Sequence, residues 1–260
     1  MQKVFARPAT LLETGFHFCP GCHHGIVHRL LCEMLERYNL QEKAVGVPGV
    51  GCGVFLYDYI AIDVCEAPHG RATAVATGIK RVQPDHFVFT YQGDGDLGAI
   101  GTAEVIHAAN RGENFTVIFV NNSVYGMTGG QMAPTTLLGQ YTTTSPAGRD
   151  SRNDGYPLHL AEMLAPLEGV AFAARVSLHT PAHVKKARRA LQRAFETQLE
   201  KRGFSFMEFV SACPTNWHLT TLQSVEHIEQ KMLSVFPLGI YKNTAAATVR
   251  KEGEPADALL

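Results

Sequence analysis

Short apolar runs alternate along the chain with longer segments whose apolar residues recur at helical spacing. Residues 44–48, 87–91, 115–120, 170–176 and 204–210 are largely apolar stretches of strand length. Such runs, apolar at odd and even positions alike, belong to strands covered on both faces. Between them, 26–38 carries apolar residues at helical spacing, with His28, Arg29, Glu33, Glu36 and Arg37 on the other face. Residues 72–82 predict a small-residue helix closed by Pro84, 100–110 a further helix, and 181–199 a charged amphipathic one. Strands alternating with helices predict an α/β fold with a doubly wound, mainly parallel sheet. Ligands of such sheets sit beyond the carboxyl ends of the strands. Gly93-Asp94-Gly95-Asp96, Asn121-Asn122 and the segment around Cys213 each follow a strand, so all three are expected on that edge. Residues 133–156, rich in Thr, Gly, Pro and Ser, read as a long ordered loop, a feature that is commonly functional. Residues 1–242 read as a single domain and 243–260 as a polar tail.

Composition narrows the classes. The 260 residues suffice for one sizeable core. Twenty-three Lys and Arg against 24 Asp and Glu leave a net charge of −1, so no basic surplus argues for nucleic acid or an anionic membrane. No apolar run approaches the ~18 residues of a spanning helix, and 1–8 lacks the apolar core of a signal peptide. A cytoplasmic protein without nucleic-acid or membrane partners is expected. The 24 glycines are clustered, which points to close backbone approach. Without a secretory context, the six cysteines at 19, 22, 32, 52, 65 and 213 read as reduced thiols.

Two constellations carry chemistry. In the first, Gly93 and Gly95 flank Asp94, so the backbone can turn sharply beside a phosphate while the carboxylate meets a hard cation. An Asn side chain and a main-chain carbonyl after the next strand would add oxygen ligands, and the following helix would offer its N-terminus to an anion. In the second, Cys19-Pro20-Gly21-Cys22 fits three chemistries: a redox pair, a zinc site with His23 or His24, or a 4Fe–4S cluster completed by Cys52 and Cys213. Cys32 reads as a core residue, and Cys65 is assigned no role. Glu104 and His107, three apart on a helix, read as ordinary surface.

Residues 93–101, 106–112 and 120–131, with the CPGC pair, the Gly-Cys loop at 51–53 and the late Cys213-Pro214, resemble the thiamine-diphosphate-binding (beta) subunits of the 2-oxoacid:ferredoxin oxidoreductases. The resemblance runs from about residue 17 to 240. It implies a thiamine-diphosphate-binding fold with Mg²⁺ held by Asp94, the Asn122 side chain and the Val124 carbonyl. Gly95, Asp96, Gly126 and Met127, together with Val50, Gly51, Cys52 and Gly53, would line the cofactor. One 4Fe–4S cluster would be held by Cys19, Cys22, Cys52 and Cys213. His69, in a family-like His-Gly-Arg segment, would meet the diphosphate or act in catalysis, and Phe55 would face the substrate. The implied reaction is oxidative decarboxylation of a 2-oxoacid with coenzyme A and ferredoxin, or its reverse. The segments 69–80 and 213–217 look most like the branched-chain (2-oxoisovalerate) members. An alpha subunit with the pyrimidine domain and its activating glutamate, a gamma subunit and a ferredoxin-like subunit would complete the assembly.

Overall fold

The computed structural model describes residues 6–247. Its strands are β1 (Ala44–Pro48), β2 (Asp63–Val64), β3 (Phe87–Gly93), β4 (Thr116–Asn121), β5 (Val124–Tyr125), β6 (Gln131–Met132), β7 (Val170–Ser177), β8 (Phe204–Val210) and β9 (Gly239–Asn243). Its first eight α-helices are α1 (His24–Arg37), α2 (Ala72–Val82), α3 (Thr102–Asn110), α4 (Ser151–Asp154), α5 (Leu160–Leu164), α6 (Pro181–Leu199), α7 (Pro214–Trp217) and α8 (Thr221–His227). Seven strands form one sheet in the order β2-β1-β3-β4-β8-β7-β9, while β5 and β6 pair separately. Every pairing in the large sheet is parallel except that of β7 with β9.

The apolar runs are continuous because both faces of the sheet are covered. Side chains alternate across a strand, so Phe87, Phe89 and Tyr91 of β3 join Val27, Leu31 and Phe195 of α1 and α6 on one face. Val88 of β3 and Val117 and Phe119 of β4 join Ala76, Val105 and Leu160 of α2, α3 and α5 on the other. The closest ring contact of the first layer sets Phe87 against Phe195, with centroids 4.3 Å apart. Small residues at Ala72 and Ala76 let α2 lie close to the sheet.

The differences from expectation are local. The chain makes a wide π-helical turn over Asp96–Ile100 before α3, where the sequence predicts one helix from residue 100. The edge strand β9 escapes prediction because it is half buried and mixes Gly, Tyr, Lys and Asn. Of the expected tail, Asn243 ends β9 and 244–247 form a helical turn; the remainder lies outside the described residues.

Two charges interrupt the apolar strands. Arg175 of β7 is fully buried and Glu208 of β8 almost so, and they pair at 3.0 Å. Glu162 of α5 takes the far end of the guanidinium at 2.8 and 2.6 Å. Burial pulls the Arg175 guanidinium down, but the two glutamates more than offset this and hold it above its usual value. Buried ions are tolerated only when paired in this way.

The loop 133–156 is ordered from within the chain. Buried Arg149 donates to the carbonyls of Pro134 (2.9 Å), Thr136 (2.6 Å), Asp154 (3.0 Å), Gly155 (3.0 Å) and Tyr156 (2.8 Å). Replacing it leaves several carbonyls unpaired. Arg149→Met is therefore expected to destabilise the chain by about 2–4 kcal/mol, read as a lowered urea midpoint together with faster proteolysis within 133–156.

Candidate functional site

The carboxyl ends of β1, β3 and β4 open into a cleft of about 290 Å³. Val50, Gly51, Cys52, Gly53, His69, Asp94, Gly95, Asp96, Asn122, Val124, Gly126 and Met127 all line it, from loops up to 77 residues apart in sequence (Val50 to Met127). Phe55 is not among its walls: its ring packs edge-on against His17 and Tyr57, at 5.1 and 6.0 Å.

At one end of the cleft, three oxygens converge. Asp94 is 3% exposed; its Oδ2 accepts the Asn122 backbone N–H at 3.0 Å, and its Oδ1 accepts the Thr135 hydroxyl. Ser123 adopts a left-handed backbone (φ 58°), which brings Asn122 and Val124 round towards Asp94. The Asn122 amide oxygen then faces only acceptors, Asp94 Oδ2 and the Val124 carbonyl. Turning the amide over would let its nitrogen donate to both at 2.7 Å. Oxygens that close together need either that inversion or a cation between them, and the donor set of carboxylate, amide and carbonyl suits a hard divalent ion. Burial pushes the Asp94 carboxyl up to about 7, despite the hydrogen bonds that pull it down. A neighbouring cation would reverse that balance.

Asp96 has a different part. Its Oδ1 accepts from Val50 N (3.1 Å), Gly70 N (2.7 Å) and His69 Nδ1 (2.6 Å), and its Oδ2 from Gln92 Nε2 (2.6 Å). Because a carboxylate can only accept, His69 Nδ1 is the donor of that bond. Gly49 permits this approach: a Cβ there would overlap the Asp96 carboxylate.

The four cysteines of interest share one neighbourhood. Cys52 lines the cleft. A Cβ placed on Gly126 would lie 3.2 Å from Cys52 Sγ and 3.6 Å from Cys213 Sγ, so both thiols lie close beside the backbone there. Burial pushes the Cys22 thiol up to about 12, and the charges of Cys213, Cys52 and Cys19 add to this. Cys52 is pushed up to about 11 by burial and then by Cys213 and Cys19. Among the described residues, no three His, Cys, Asp or Glu side chains close on a single ion. His23 and His24 are engaged elsewhere, His23 Nδ1 with the Ala212 N–H (3.4 Å) and His24 Nδ1 with Tyr91 Oη (2.7 Å). Cys32 is buried in the core and Cys65 is exposed. Glu104 pairs with Arg71 on the surface of α3.

The family model for the thiamine pyrophosphate enzyme C-terminal TPP binding domain matches residues 56–209. Over 98% of this chain, 46% of positions are identical to the ketoisovalerate oxidoreductase subunit VorA of Methanothermobacter thermautotrophicus, of which 54% is covered. The 2-oxoglutarate synthase subunit KorB of Archaeoglobus fulgidus is 38% identical over 82% of this chain and 75% of its own length. The chain belongs to the thiamine-pyrophosphate-binding subunits of the 2-oxoacid:ferredoxin oxidoreductases. It spans about half the length of the VorA relatives. The fold of this oxidoreductase subunit is also that of the solved 2-oxoglutarate:ferredoxin oxidoreductase from Magnetococcus marinus. There the TM-score is 0.76 at 22% identity, over 95% of this chain and 90% of that one. No helix among the described residues of the subunit is long and apolar enough to cross a membrane.

Sequence reasoning missed several residues of the subunit's site. Asn216 Nδ2 donates to the Gly126 carbonyl (2.8 Å) and to Cys213 Sγ (3.2 Å), and Trp217 Nε1 to the Asn122 carbonyl (3.1 Å). Together they tie α7 to the lining of the cleft. Both lie within the family-like 213–217 segment, where an amide and an indole so soon after Cys-Pro were the available signal. Thr135 and Gln92 gave none, since a loop threonine and a strand glutamine become meaningful only beside Asp94 and Asp96.

The buried histidines make stability depend on pH. Burial lowers His24 to about 3, His23 to about 4 and His28 to about 4, with neighbouring histidine charges adding to the effect. Unfolded histidines gain a proton near pH 6.5 while these stay neutral, so each removes about 1.4 kcal/mol per pH unit as pH falls below that value. Asp94, raised to about 7 in the metal-free chain, opposes them by one proton. Stability is expected to be complete above pH 6.5 and to fall towards pH 4. His28→Gln should flatten the slope of urea-unfolding free energy against pH by one proton; an unchanged slope would refute it.

Proposed function

We propose that this chain binds thiamine diphosphate, Mg²⁺ and one 4Fe–4S cluster as the catalytic (beta) subunit of a 2-oxoacid:ferredoxin oxidoreductase. The convergence of Asp94, Asn122 and Val124 oxygens at a cleft that Cys52 also lines carries the reading. Asp94, Asn122 and the Val124 carbonyl would hold Mg²⁺, and Cys19, Cys22, Cys52 and Cys213 the cluster. Thiamine diphosphate, when bound, would supply carbanion chemistry towards a 2-oxo carbon and a sink for the electrons of decarboxylation.

The chain's own residues fit that chemistry. Gly95 and Gly126 let the backbone approach the diphosphate and thiazole, and Met127 and Val50 give that ring an apolar wall. Asp96 holds His69 in the Nδ1–H tautomer, so Nε2 can accept a proton from the substrate or cofactor and return it at the same atom. The Cys22 and Cys52 thiols, raised by burial to about 12 and about 11, are poor nucleophiles, whereas cluster iron would hold them as thiolates. Cys52 and Cys213 both lie beside Gly126, and four thiolates are the ligand set of a cluster. Four gathered cysteines also count against a non-redox lyase.

For the substrate, we favour a branched-chain 2-oxoacid such as 2-oxoisovalerate. Exposed Val50, Ile100 and Met127 line the cleft, and no Lys or Arg does among the described residues. A second carboxylate would lie unpaired there. 2-Oxoglutarate, in keeping with the KorB relatives, and pyruvate are the alternatives. Phe55 takes no direct part in this reading. Coenzyme A would take the acyl group and a ferredoxin the electrons. Subunits bearing the pyrimidine domain and further clusters would complete the cytoplasmic assembly.

The test is anaerobic purification of the chain with its co-expressed partner subunits, followed by iron and acid-labile sulfide analysis. About four of each per chain are expected, lost in Cys19→Ser, Cys52→Ser and Cys213→Ser. Asp94→Asn should keep the iron and lose thiamine diphosphate retention. One zinc with no sulfide would overturn the redox reading and leave a non-redox thiamine enzyme. Turnover with 2-oxoisovalerate above that with 2-oxoglutarate would support the substrate.

A further inference from the structure

We propose that Glu208 and Arg175, which lie in the middle of the sheet and outside the cleft, are positioning residues for the cation site. They act through Asn121, by fixing the turn that presents Asn122 and Val124 to the ion. The inference rests on the reading that Asp94, Asn122 and Val124 hold a divalent cation.

The path is continuous. Asn121 is the last residue of β4, fully buried, and its Nδ2 donates to Glu208 Oε1 at 2.8 Å. That bond decides which way the amide points: with its nitrogen towards Glu208, its Oδ1 is left to accept the Ser123 N–H at 3.2 Å. Ser123 has φ 58°, a left-handed conformation unfavourable for any residue with a Cβ and held only by its surroundings. Thr136 Oγ donates to the Ser123 carbonyl at 2.6 Å, so the turn is pinned from both sides. Without an acceptor at Glu208 the Asn121 amide is free to invert. It would then set its NH₂ against the Ser123 N–H and release the turn on which the Asn122 and Val124 oxygens depend.

Arg175 makes Glu208 a dependable acceptor. Its Nε lies 3.0 Å from Glu208 Oε2. Its terminal nitrogens are taken by Glu162 (2.8 and 2.6 Å), by the Tyr241 hydroxyl (2.6 Å) and by the Pro237 carbonyl (3.2 Å). The guanidinium is therefore held in place, and its charge lies against Glu208 Oε2 without making a hydrogen bond to it, while Oε1 accepts from Asn121. β7 and β8 place the pair side by side, Arg175 opposite Glu208, while Phe119 of β4 lies opposite Glu208 on the other side. An apolar pair would pack in such a sheet at no loss of stability, so the particular contribution of these charges is the acceptor they hold beneath Asn121.

The experiment measures Mn²⁺ binding to the full chain in the presence of thiamine diphosphate, from the electron paramagnetic resonance signal of free Mn²⁺, with the thermal midpoint of each variant alongside. Arg175→Met/Glu208→Met removes the two buried charges together and leaves Glu162, 35% exposed, to solvent. Mn²⁺ affinity is expected to fall about 10–100-fold while the fold is kept. Arg175→Met/Glu208→Gln restores an uncharged acceptor to Asn121 and should recover most of the affinity. Asn121→Ala, which cuts the link but keeps the ion pair, should bind as weakly as the double methionine variant and decides the matter if that variant does not fold. Wild-type affinity in folded Asn121→Ala, or no recovery with glutamine at 208, would overturn the proposal. A wild-type chain that binds no Mn²⁺, or Asp94→Asn binding as well as wild type, would instead overturn the cation reading beneath it.

Discussion

Four N–H donors from three separate segments converge on the carboxylate of Asp96, and the cleft has its shape because they do. Val50 belongs to the loop after β1, His69 and Gly70 to the segment before α2, and Gln92 to β3 itself. Each would be flexible without its partner. Drawn to one buried carboxylate, they become a rigid rim around the end of the sheet. Such charge-assisted hydrogen bonds are stronger than neutral ones, and burial strengthens them further. Gly49 is part of the same constraint, since any side chain there would occupy the space of the carboxylate. The two aspartates of one short motif are thus divided by their neighbours. Asp96 is consumed by the protein, and Asp94 is left with an oxygen among other oxygens.

Strand order does the rest. β3, β4 and β8 are adjacent and parallel, so the segments after them emerge on one edge. That adjacency brings Asp94, Asn122 and Cys213 together, and α7 then laces the edge with Asn216 and Trp217. The cysteines sit where the sheet edge meets α1, next to His23 and His24, which burial keeps uncharged.

Much of the architecture could be read along the chain. The β8 run and the helices over Ala72–Val82 and Pro181–Leu199 were legible to the residue, because apolar periodicity and the Pro at the start of α6 are local signals. β9 was not, since a half-buried edge strand of mixed residues has no periodicity of its own. The loop 133–156 was read as ordered, but its cause, Arg149 reaching six carbonyls, is a contact pattern that composition does not encode.

By itself, the sequence determined the parallel α/β class, the gathering of Gly-Asp-Gly-Asp, Asn-Asn and the late cysteine on one edge, and the family. These follow from periodicity and from motifs whose spacing is short or bounded by strands. Only the tertiary structure decided that Asp96 serves the protein while Asp94 faces Asn122 and Val124. It alone set Phe55 among His17 and Tyr57 outside the cleft walls, and placed an ion pair from β7 and β8 beneath the Asn121 amide. Each of those outcomes depends on which donor or acceptor arrives from a distant segment, and hydrogen bonding is directional at a range of about 3 Å. No local pattern carries that information.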